Sequence, residues 1–201
     1  FCHVVMLTLG TGVGGGLLLD GRIYHGARGG AGELGHVVVE KDGLPCRCGG
    51  RGCLEMYASG PALIRYAAAR GGDPEQDPEG LLQDLSSRGA LTGETVTEFA
   101  QRGYPGAVEA VQELAGWLGA GLVGISNVFD PEVIVVGGGV SALGELLLAP
   151  ARECVRARAM APGREVVQVV PAELGNTAGL VGAALVAWEA GEEAREAAKA
   201  L

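Results

Sequence analysis

The sequence has 201 residues, 48% of them hydrophobic, which is enough to bury a substantial core in one domain or in one domain with a small excursion. Its 15 basic and 24 acidic residues give a net charge of −9, which argues against a nucleic-acid or anionic-lipid partner. No apolar run reaches the roughly 18 residues that a membrane-spanning helix needs, and the first residues lack a signal-peptide pattern, so we expect a cytoplasmic protein.

The first part of the chain has the pattern of short strands. Residues 10–16 are a glycine-rich turn, and Asp20-Gly21 is typical of a hairpin turn. The apolar runs around these turns, and one further run before the cysteines, predict strands over residues 3–9, 17–19, 22–24 and 37–40.

Helical spacing of apolar residues dominates the middle of the chain. An amphipathic helix is predicted from Ser59 to a stop at residues 71–72. A polar, proline-bearing loop and shorter helical pieces follow, so that residues 73–104 are expected to form a surface helical excursion. A long buried helix is then predicted over residues 106–128.

The last part of the chain alternates strands and helices. Residues 133–136 predict a buried parallel strand that runs into the glycines 137–139 and a helix beginning near Ser141. A strand over residues 165–170 and a helix from about residue 177 to beyond 189 complete the pattern. This order of elements indicates an α/β fold with a mixed sheet and flanking helices.

One short segment has the composition of a metal site. Zn²⁺ binds thiolates and imidazole tetrahedrally, and four protein ligands leave no open position, so such a site is structural rather than catalytic. The alternative is three incidental or redox-active cysteines beside a core histidine, and Cys2 and Cys154, outside the segment, are expected to be ordinary buried thiols. The four potential ligands are His36, Cys46, Cys48 and Cys53.

Two glycine-rich loops could cradle phosphate. Glycine lets backbone N–H groups wrap an anion, and the loop at residues 137–139 adds a following helix N-terminus. Neither this loop nor residues 10–16 carries the lysine of a P-loop, and each alone is explained equally well as a tight turn. Their joint position after two strands of one sheet favours a nucleotide cleft.

Two glutamates flank the potential metal ligands. Glu33 lies three residues before His36, and Glu55 lies two residues after Cys53. A metal that holds His36 and Cys53 would place both carboxylates in one neighbourhood, where they could accept strong hydrogen bonds from sugar hydroxyls. Considered singly, each glutamate is more typical of a solvated surface.

The segments LTLGTGVGGG, AGELGH, CRCGGRGCLE and VIVVGGGVS closely resemble the corresponding motifs of the ROK family of sugar kinases and repressors, within the actin-like ATPase (ribonuclease H-like) superfamily. The resemblance covers nearly the whole chain and implies a zinc/sugar-site segment over residues 33–55, Mg-ATP as the phosphoryl donor and a homo-oligomer. It further implies that the nucleoside lies near Gly137, Gly138 and Gly139, that the sugar contacts Glu33, His36 and Glu55, and that the ATP phosphates face Gly10, Thr11, Gly12, Gly14 and Gly15.

The resemblance also implies parts that the sequence does not contain. The N-terminal lobe and the general base of the kinases are expected upstream of Phe1, so residues 1–201 would be the C-terminal nucleotide- and sugar-binding domain, inactive by itself and without an assignable catalytic base. The intact glycine loop favours a hexose kinase that converts glucose to glucose 6-phosphate. A sugar-responsive repressor of the same family and a zinc-stabilised oligomerisation module are the alternatives.

Overall fold

The computed structural model describes residues 1–199. The chain divides into two compact units, Phe1–Pro171 and Ala172–Leu201. The first unit contains a five-stranded mixed sheet with helices packed against it. Among the helices of the described residues, none is both long and apolar enough to cross a membrane. The strands of the sheet are β1 Val4–Leu9, β2 Val13–Leu19, β3 Arg22–Ile23, β4 Val133–Gly137 and β5 Gln168–Pro171.

The centre of the sheet is formed by β1 and β4, and the full order is β3-β2-β1-β4-β5. β2 pairs antiparallel with β1 and with β3, whereas β4 is parallel to both β1 and β5. The side chains of Leu7, Leu9, Ile134 and Val136 are fully buried, and their register places all four on the same face of the sheet. The predicted mixed sheet and its central parallel strand are therefore confirmed.

The helices of the first unit pack around one long helix, α5 Pro105–Phe129, which contacts most of the others. Pro105 starts α5 in the position that best tolerates proline, and Leu114, Leu118 and Leu122 repeat at helical spacing with no exposed surface. This long buried helix was predicted. The helix bounds are α1 Glu55–Ala58, α2 Gly60–Ala68, α3 Leu81–Ser87, α4 Gly93–Gln101, α5 Pro105–Phe129, α6 Glu145–Arg158 and α7 Gly163–Val166.

The second unit contains a 3₁₀ turn, Gly175–Thr177, and one helix, α8 Ala178–Lys199. The helix predicted from about residue 177 to beyond 189 is confirmed. In its described first half, Leu180, Leu185 and Trp188 are exposed within this unit.

The structure corrects two of the predicted strands. Residues 37–40 form no sheet strand; they make one isolated bridge, Val38 with Cys53, because the cysteine-bearing loop folds back on them instead of joining the sheet. The strand predicted over residues 165–170 begins later, at Gln168, the first residue of β5. Residues Gly163–Val166 form the short helix α7 instead, and the exposed side chain of Val166 offers no buried face to a strand.

Two further expectations need correction. The turn predicted over residues 10–16 is shorter, because Val13–Leu19 already belong to β2 and Gly14 to Gly16 are strand residues. Cys2 is exposed and Cys154 only partly buried, so the expectation of two buried thiols is wrong for Cys2. Cys2 lies before the first residue of β1, where no layer covers it.

The buried carboxylate of Asp77 holds the start of the excursion that contains α3 and α4 in place through hydrogen bonds. Asp77 accepts hydrogen bonds from the backbone N–H groups of Gly72, Leu82 and Gln83 at 2.9 to 3.1 Å, and from the hydroxyl of Tyr104. Its side chain is 4% exposed, so these four donors replace water. Two of them belong to the first turn of α3, whose N–H groups have no partner within the helix.

The hydrogen bonds keep Asp77 ionised in spite of its burial. Burial opposes the charged form, but the Tyr104 hydroxyl and the three backbone donors outweigh it, and the pKa of the carboxyl lies below its usual range. Because the folded pKa is lower than the unfolded one, the stabilisation is complete above the unfolded value of about 3.9 and is lost as the pH falls through the folded value.

We expect Asp77→Asn to lower the free energy of unfolding by about 2 to 3 kcal/mol at pH 7, because one amide oxygen cannot replace two carboxylate oxygens facing four donors. The difference from the wild type should shrink at a second, acidic pH below the unfolded value of about 3.9, because the stabilisation is lost as the pH falls toward the lowered pKa of Asp77. Urea unfolding at both pH values measures it. Asp84→Asn, which removes only an exposed pair with Arg88, is the control and should cost much less; equal costs for the two variants would contradict the assignment.

Candidate functional site

The four potential metal ligands lie together in the structure. Their ligand atoms all fall within 4.8 Å of one another. The Sγ atoms of Cys48 and Cys53 are 3.6 Å apart, and Cys46 Sγ is 3.6 Å from His36 Nδ1. Bonds of about 2.3 Å to sulfur and about 2.0 Å to nitrogen in a tetrahedron would separate two sulfurs by about 3.8 Å and sulfur from nitrogen by about 3.6 Å. The donor set and its spacing therefore fit one metal ion.

A narrow backbone hairpin delivers the three cysteines. Cys46 N–H donates to Gly50 O at 2.8 Å, and Gly49 N–H donates back to Cys46 O at 3.0 Å, which closes the tip. Gly52, near the base of the hairpin, has a φ of +73°, and a Cβ there would lie 1.6 Å from Glu40 O. Only glycine allows this crossing, so the short ligand spacing depends on it.

The thiols of the cluster have different environments. Burial is the main reason that the pKa of Cys53 is raised to about 12, whereas a hydrogen bond from Gly50 N–H is the main reason that the pKa of Cys48 is lowered. A buried thiolate at Cys53 therefore needs a compensating positive charge, which a bound cation supplies. The cluster could hold a metal ion, and no other such group occurs among the described residues.

The imidazole of His36 connects the cluster to Glu33. Its Nδ1 faces Cys46, while its Nε2 lies 3.8 Å from Glu33 Oε2. A short 3₁₀ turn, Leu34–His36, brings Glu33 and His36, which are three residues apart, to the same side of the chain. One ring nitrogen is thus directed toward the potential metal site and the other toward a carboxylate that is mostly exposed.

The other end of the segment is anchored on α5. Leu54 is fully buried and packs against Gly121 of α5. A Cβ added to Gly121 would lie 2.6 Å from a methyl carbon of Leu54. The ring of Tyr57 packs on Trp117 with centroids 4.4 Å apart, and its hydroxyl accepts a hydrogen bond from Leu44 N–H at 2.7 Å. These contacts fix α1 and, with it, the glutamate at its first position.

Glu55, the first residue of α1, lies against the first glycine loop. Its Oε2 accepts a hydrogen bond from Val13 N–H at 3.0 Å. A Cβ on Gly12 would lie 2.3 Å from the same oxygen. The carboxylate of Glu55 therefore contacts the turn between β1 and β2. In the sequence, Glu55 follows Cys53, the last cysteine of the cluster, by two residues.

The two glycine loops meet at one cavity of about 550 Å³. Gly10 and Thr11 contribute from the turn after β1, and Gly139 contributes from the loop after β4. The two strands are adjacent and parallel, so their carboxyl ends share one edge of the sheet. Gly60 N–H donates to Gly10 O at 2.8 Å, which joins the start of α2 to the same rim.

The remaining predicted glycines are not among the residues that line this cavity. Gly14 faces Thr8, Gly15 lies under the backbone of residue 32, and Gly137 ends β4. Gly138 has a φ of +88°, and a Cβ there would lie 2.4 Å from Leu9 O. Gly14, Gly15 and Gly138 have a packing reason to be small. The role of these three, of Gly137 and of Gly12 in nucleotide binding stays a prediction.

One wall of the cavity was not predicted from the sequence. The helix α4 contributes Glu94, Thr97, Glu98 and Gln101, and α2 contributes apolar side chains that include Ile64. The sequence assigned α4 to a surface excursion because its polar face is indistinguishable from a solvated one. The N-cap at Thr92 marks where the helix starts but not what it faces.

Comparisons with known proteins agree with these features. The sequence profile of the ROK family matches residues 2–190. A glucokinase from Streptomyces coelicolor is 44% identical over 93% of this chain and 60% of its own length. The solved structure of a ROK family glucokinase from Streptomyces griseus in complex with glucose and AMPPNP has a TM-score of 0.82 and 42% identity, over 92% of this chain and 60% of that one.

A second kind of protein is also similar. The structure of a ROK family transcriptional regulator, a homolog of the E. coli MLC protein, has a TM-score of 0.73 and 31% identity, over 85% of this chain and 42% of that one. The chain thus spans 60% of the length of the two glucokinases and less of the regulator.

We expect Gly52→Ala to destabilise the hairpin strongly, because the added Cβ collides with the backbone of Glu40 and the φ is positive. The free energy of unfolding should fall by about 3 kcal/mol or more. Gly49→Ala is a matched control: its φ is +92° but no atom lies within 4 Å of the added Cβ, so only about 1 to 2 kcal/mol of backbone strain is expected. Urea unfolding measures both, and similar costs would contradict this account of the hairpin.

Proposed function

This chain belongs to the ROK family, and we propose that the protein that contains it transfers the γ-phosphoryl group of ATP to a hexose, with glucose as the substrate. The observation that carries the proposal is the meeting of the two glycine loops at one cavity, beside a turn that touches Glu55. The similar glucokinases from two Streptomyces species support glucose and ATP as the substrates.

In this proposal the cavity takes the nucleotide. The backbone N–H of Thr11 would donate to the ATP phosphates, Gly10 would line the phosphate site beside it, and Gly139, at the start of a 3₁₀ turn, would lie near the nucleoside. Gly12, Gly14, Gly15, Gly137 and Gly138 would hold the two loops close enough to the ligand for these contacts. Mg²⁺ bound with ATP would neutralise charge on the transferred phosphoryl oxygens.

The hexose would bind at residues 33–55, which we call the metal-ordered segment because they contain the four potential metal ligands. We assign Glu33, His36 and Glu55 to the sugar hydroxyls, since charged acceptors form the stronger hydrogen bonds and the free side of His36 faces Glu33. The chemistry would then consist of holding the hydroxyl nucleophile in line with the γ-phosphoryl group while water is kept out. A homo-oligomer, a cytoplasmic location and a general base outside residues 1–201 stay predictions.

The sugar-responsive repressor is the second candidate, because a ROK transcriptional regulator is also similar in structure. Its identity to this chain is 31%, against 42% and 44% for the glucokinases. The loop of Gly10 and Thr11 is intact and lines a cavity, which a protein that only senses sugar does not need. We therefore favour the kinase.

For the metal cluster we propose Zn²⁺, since three sulfurs and one imidazole nitrogen are the donors of closed structural zinc sites. Purified protein should contain one zinc per chain by mass spectrometry. Cys48→Ser should lose most of it and lower the unfolding midpoint by roughly 5 °C or more, because metal-binding energy contributes to folding. Cys2→Ser, a cysteine outside the cluster, should retain the metal; zinc retained equally by both variants would refute the ligand set.

The kinase proposal is tested on the full-length protein with glucose and ATP in a coupled assay for glucose 6-phosphate. Wild-type protein should form the product, and Glu33→Gln should lower kcat/KM for glucose by about tenfold or more, because a charged acceptor becomes a neutral one. Glu153→Gln, on the exposed face of α6, should leave it unchanged. Absence of the product, together with sugar-dependent DNA binding, would establish the repressor instead.

A further inference from the structure

The turn between β1 and β2 extends from the nucleotide cavity to the metal-ordered segment. Its first two residues, Gly10 and Thr11, line the cavity. Its next residue, Gly12, and Val13, which starts β2, contact the carboxylate of Glu55. The residues that contact Glu55 are therefore only one or two positions away from Thr11, which lines the surface that would bind phosphate.

Val13 is held from two directions by the segment of residues 33–55. Its N–H donates to Glu55 Oε2, and its carbonyl oxygen lies so close to Gly35 that a Cβ there would be 2.0 Å away. Gly35 directly precedes His36, and Glu55 follows Cys53 by two residues. Both ends of the metal-ordered segment thus meet the backbone of one residue at the base of the turn.

The carboxylate of Glu55 has one oxygen engaged and one available. Oε2 is bonded to Val13, whereas Oε1 has no hydrogen-bond partner among the described residues. The side chain is half-buried, so Oε1 remains accessible to a ligand. A carboxylate accepts several hydrogen bonds at once, and a donor at Oε1 would fix the torsion angles that also place Oε2.

We propose that Glu55 is a positioning residue that couples the hexose site to the nucleotide cavity. A hexose hydroxyl that donates to Oε1 orders the carboxylate, and the ordered Oε2 holds Val13 N–H and hence the turn of Gly10 and Thr11. Nucleotide then binds to a turn that is already ordered and loses less conformational entropy. This inference rests on the proposed function for the sugar, whereas the contact with Val13 does not.

The coupling has a measurable size. Hexose should raise the affinity for nucleotide by about fivefold or more, and nucleotide must raise the affinity for hexose by the same factor. Calorimetry of the full-length protein with AMP-PNP, which is not consumed, measures the affinity with and without saturating glucose. Glu55→Gln should weaken AMP-PNP binding without glucose and bring the coupling factor close to one, since a neutral amide oxygen holds Val13 less well.

Glu33→Gln is the matched control. Glu33 belongs to the same proposed sugar site, but its contact is with His36, and no hydrogen bond joins it to the turn among the described residues. This variant should weaken glucose binding, while AMP-PNP affinity without glucose stays close to wild type and the coupling factor at saturating glucose is retained. A general loss of structure in the sugar site would affect both variants alike, which separates positioning from folding.

Hydrogen exchange on the wild-type protein provides a second measurement if Glu55→Gln does not fold. Glucose should slow exchange in the peptide that contains residues 10–13, although the sugar does not touch it. Unchanged exchange, or AMP-PNP affinity and coupling that are equal in Glu55→Gln and wild type, would overturn the proposal. If wild-type protein binds no glucose, the hexose kinase fails, but weaker AMP-PNP binding by Glu55→Gln alone would still establish that Glu55 positions the turn.

Discussion

The convergence of three sulfurs and one imidazole is the constraint on which the site depends. Burial raises the pKa of the Cys53 thiol, so its thiolate form, which is the metal ligand, is stable only when a cation compensates the negative charge. Once these donors share one ion, His36 and Cys53 are fixed relative to each other, and so are the glutamates beside them. A bound ion would therefore act through geometry, because it would lend rigidity to a segment that has little regular secondary structure.

Three glycines of the first loop leave room for neighbouring groups: Gly12 for the carboxylate of Glu55, Gly14 for the side chain of Thr8, and Gly15 for another part of the backbone. Beside Gly15 the backbone of Gly32 passes within 2.3 Å of where a Cβ would be, and Gly35 approaches Val13 in the same way. A sequence pattern that suggests phosphate binding is thus partly a packing requirement, at Gly15 between β2 and the segment that precedes His36. In the proposed function, binding would fall to Gly10 and Thr11, which line the cavity, while the other glycines would allow the close packing around them.

Much of this was predictable from local patterns. The buried strand at residues 133–136 and the long helix α5 have unambiguous periodicity, and ligand spacing was enough to group His36 with three cysteines. The mixed sheet with its flanking helices is that of the actin-like ATPase fold of the ROK kinases. The wall contributed by α4 and the loss of the strand at residues 37–40 were not predictable, because each depends on which distant segment packs nearby rather than on composition.

The two edges of the sheet are unusually poor templates for another chain. On one side β3 has only the two residues Arg22 and Ile23, and on the other β5 has four residues and ends in Pro171, which has no N–H to donate. Short edges, an arginine and a proline all discourage strand addition between copies of a protein. Pairing between copies through the edges of this sheet should accordingly be weak, so that aggregation of the folded chain by strand addition is disfavoured.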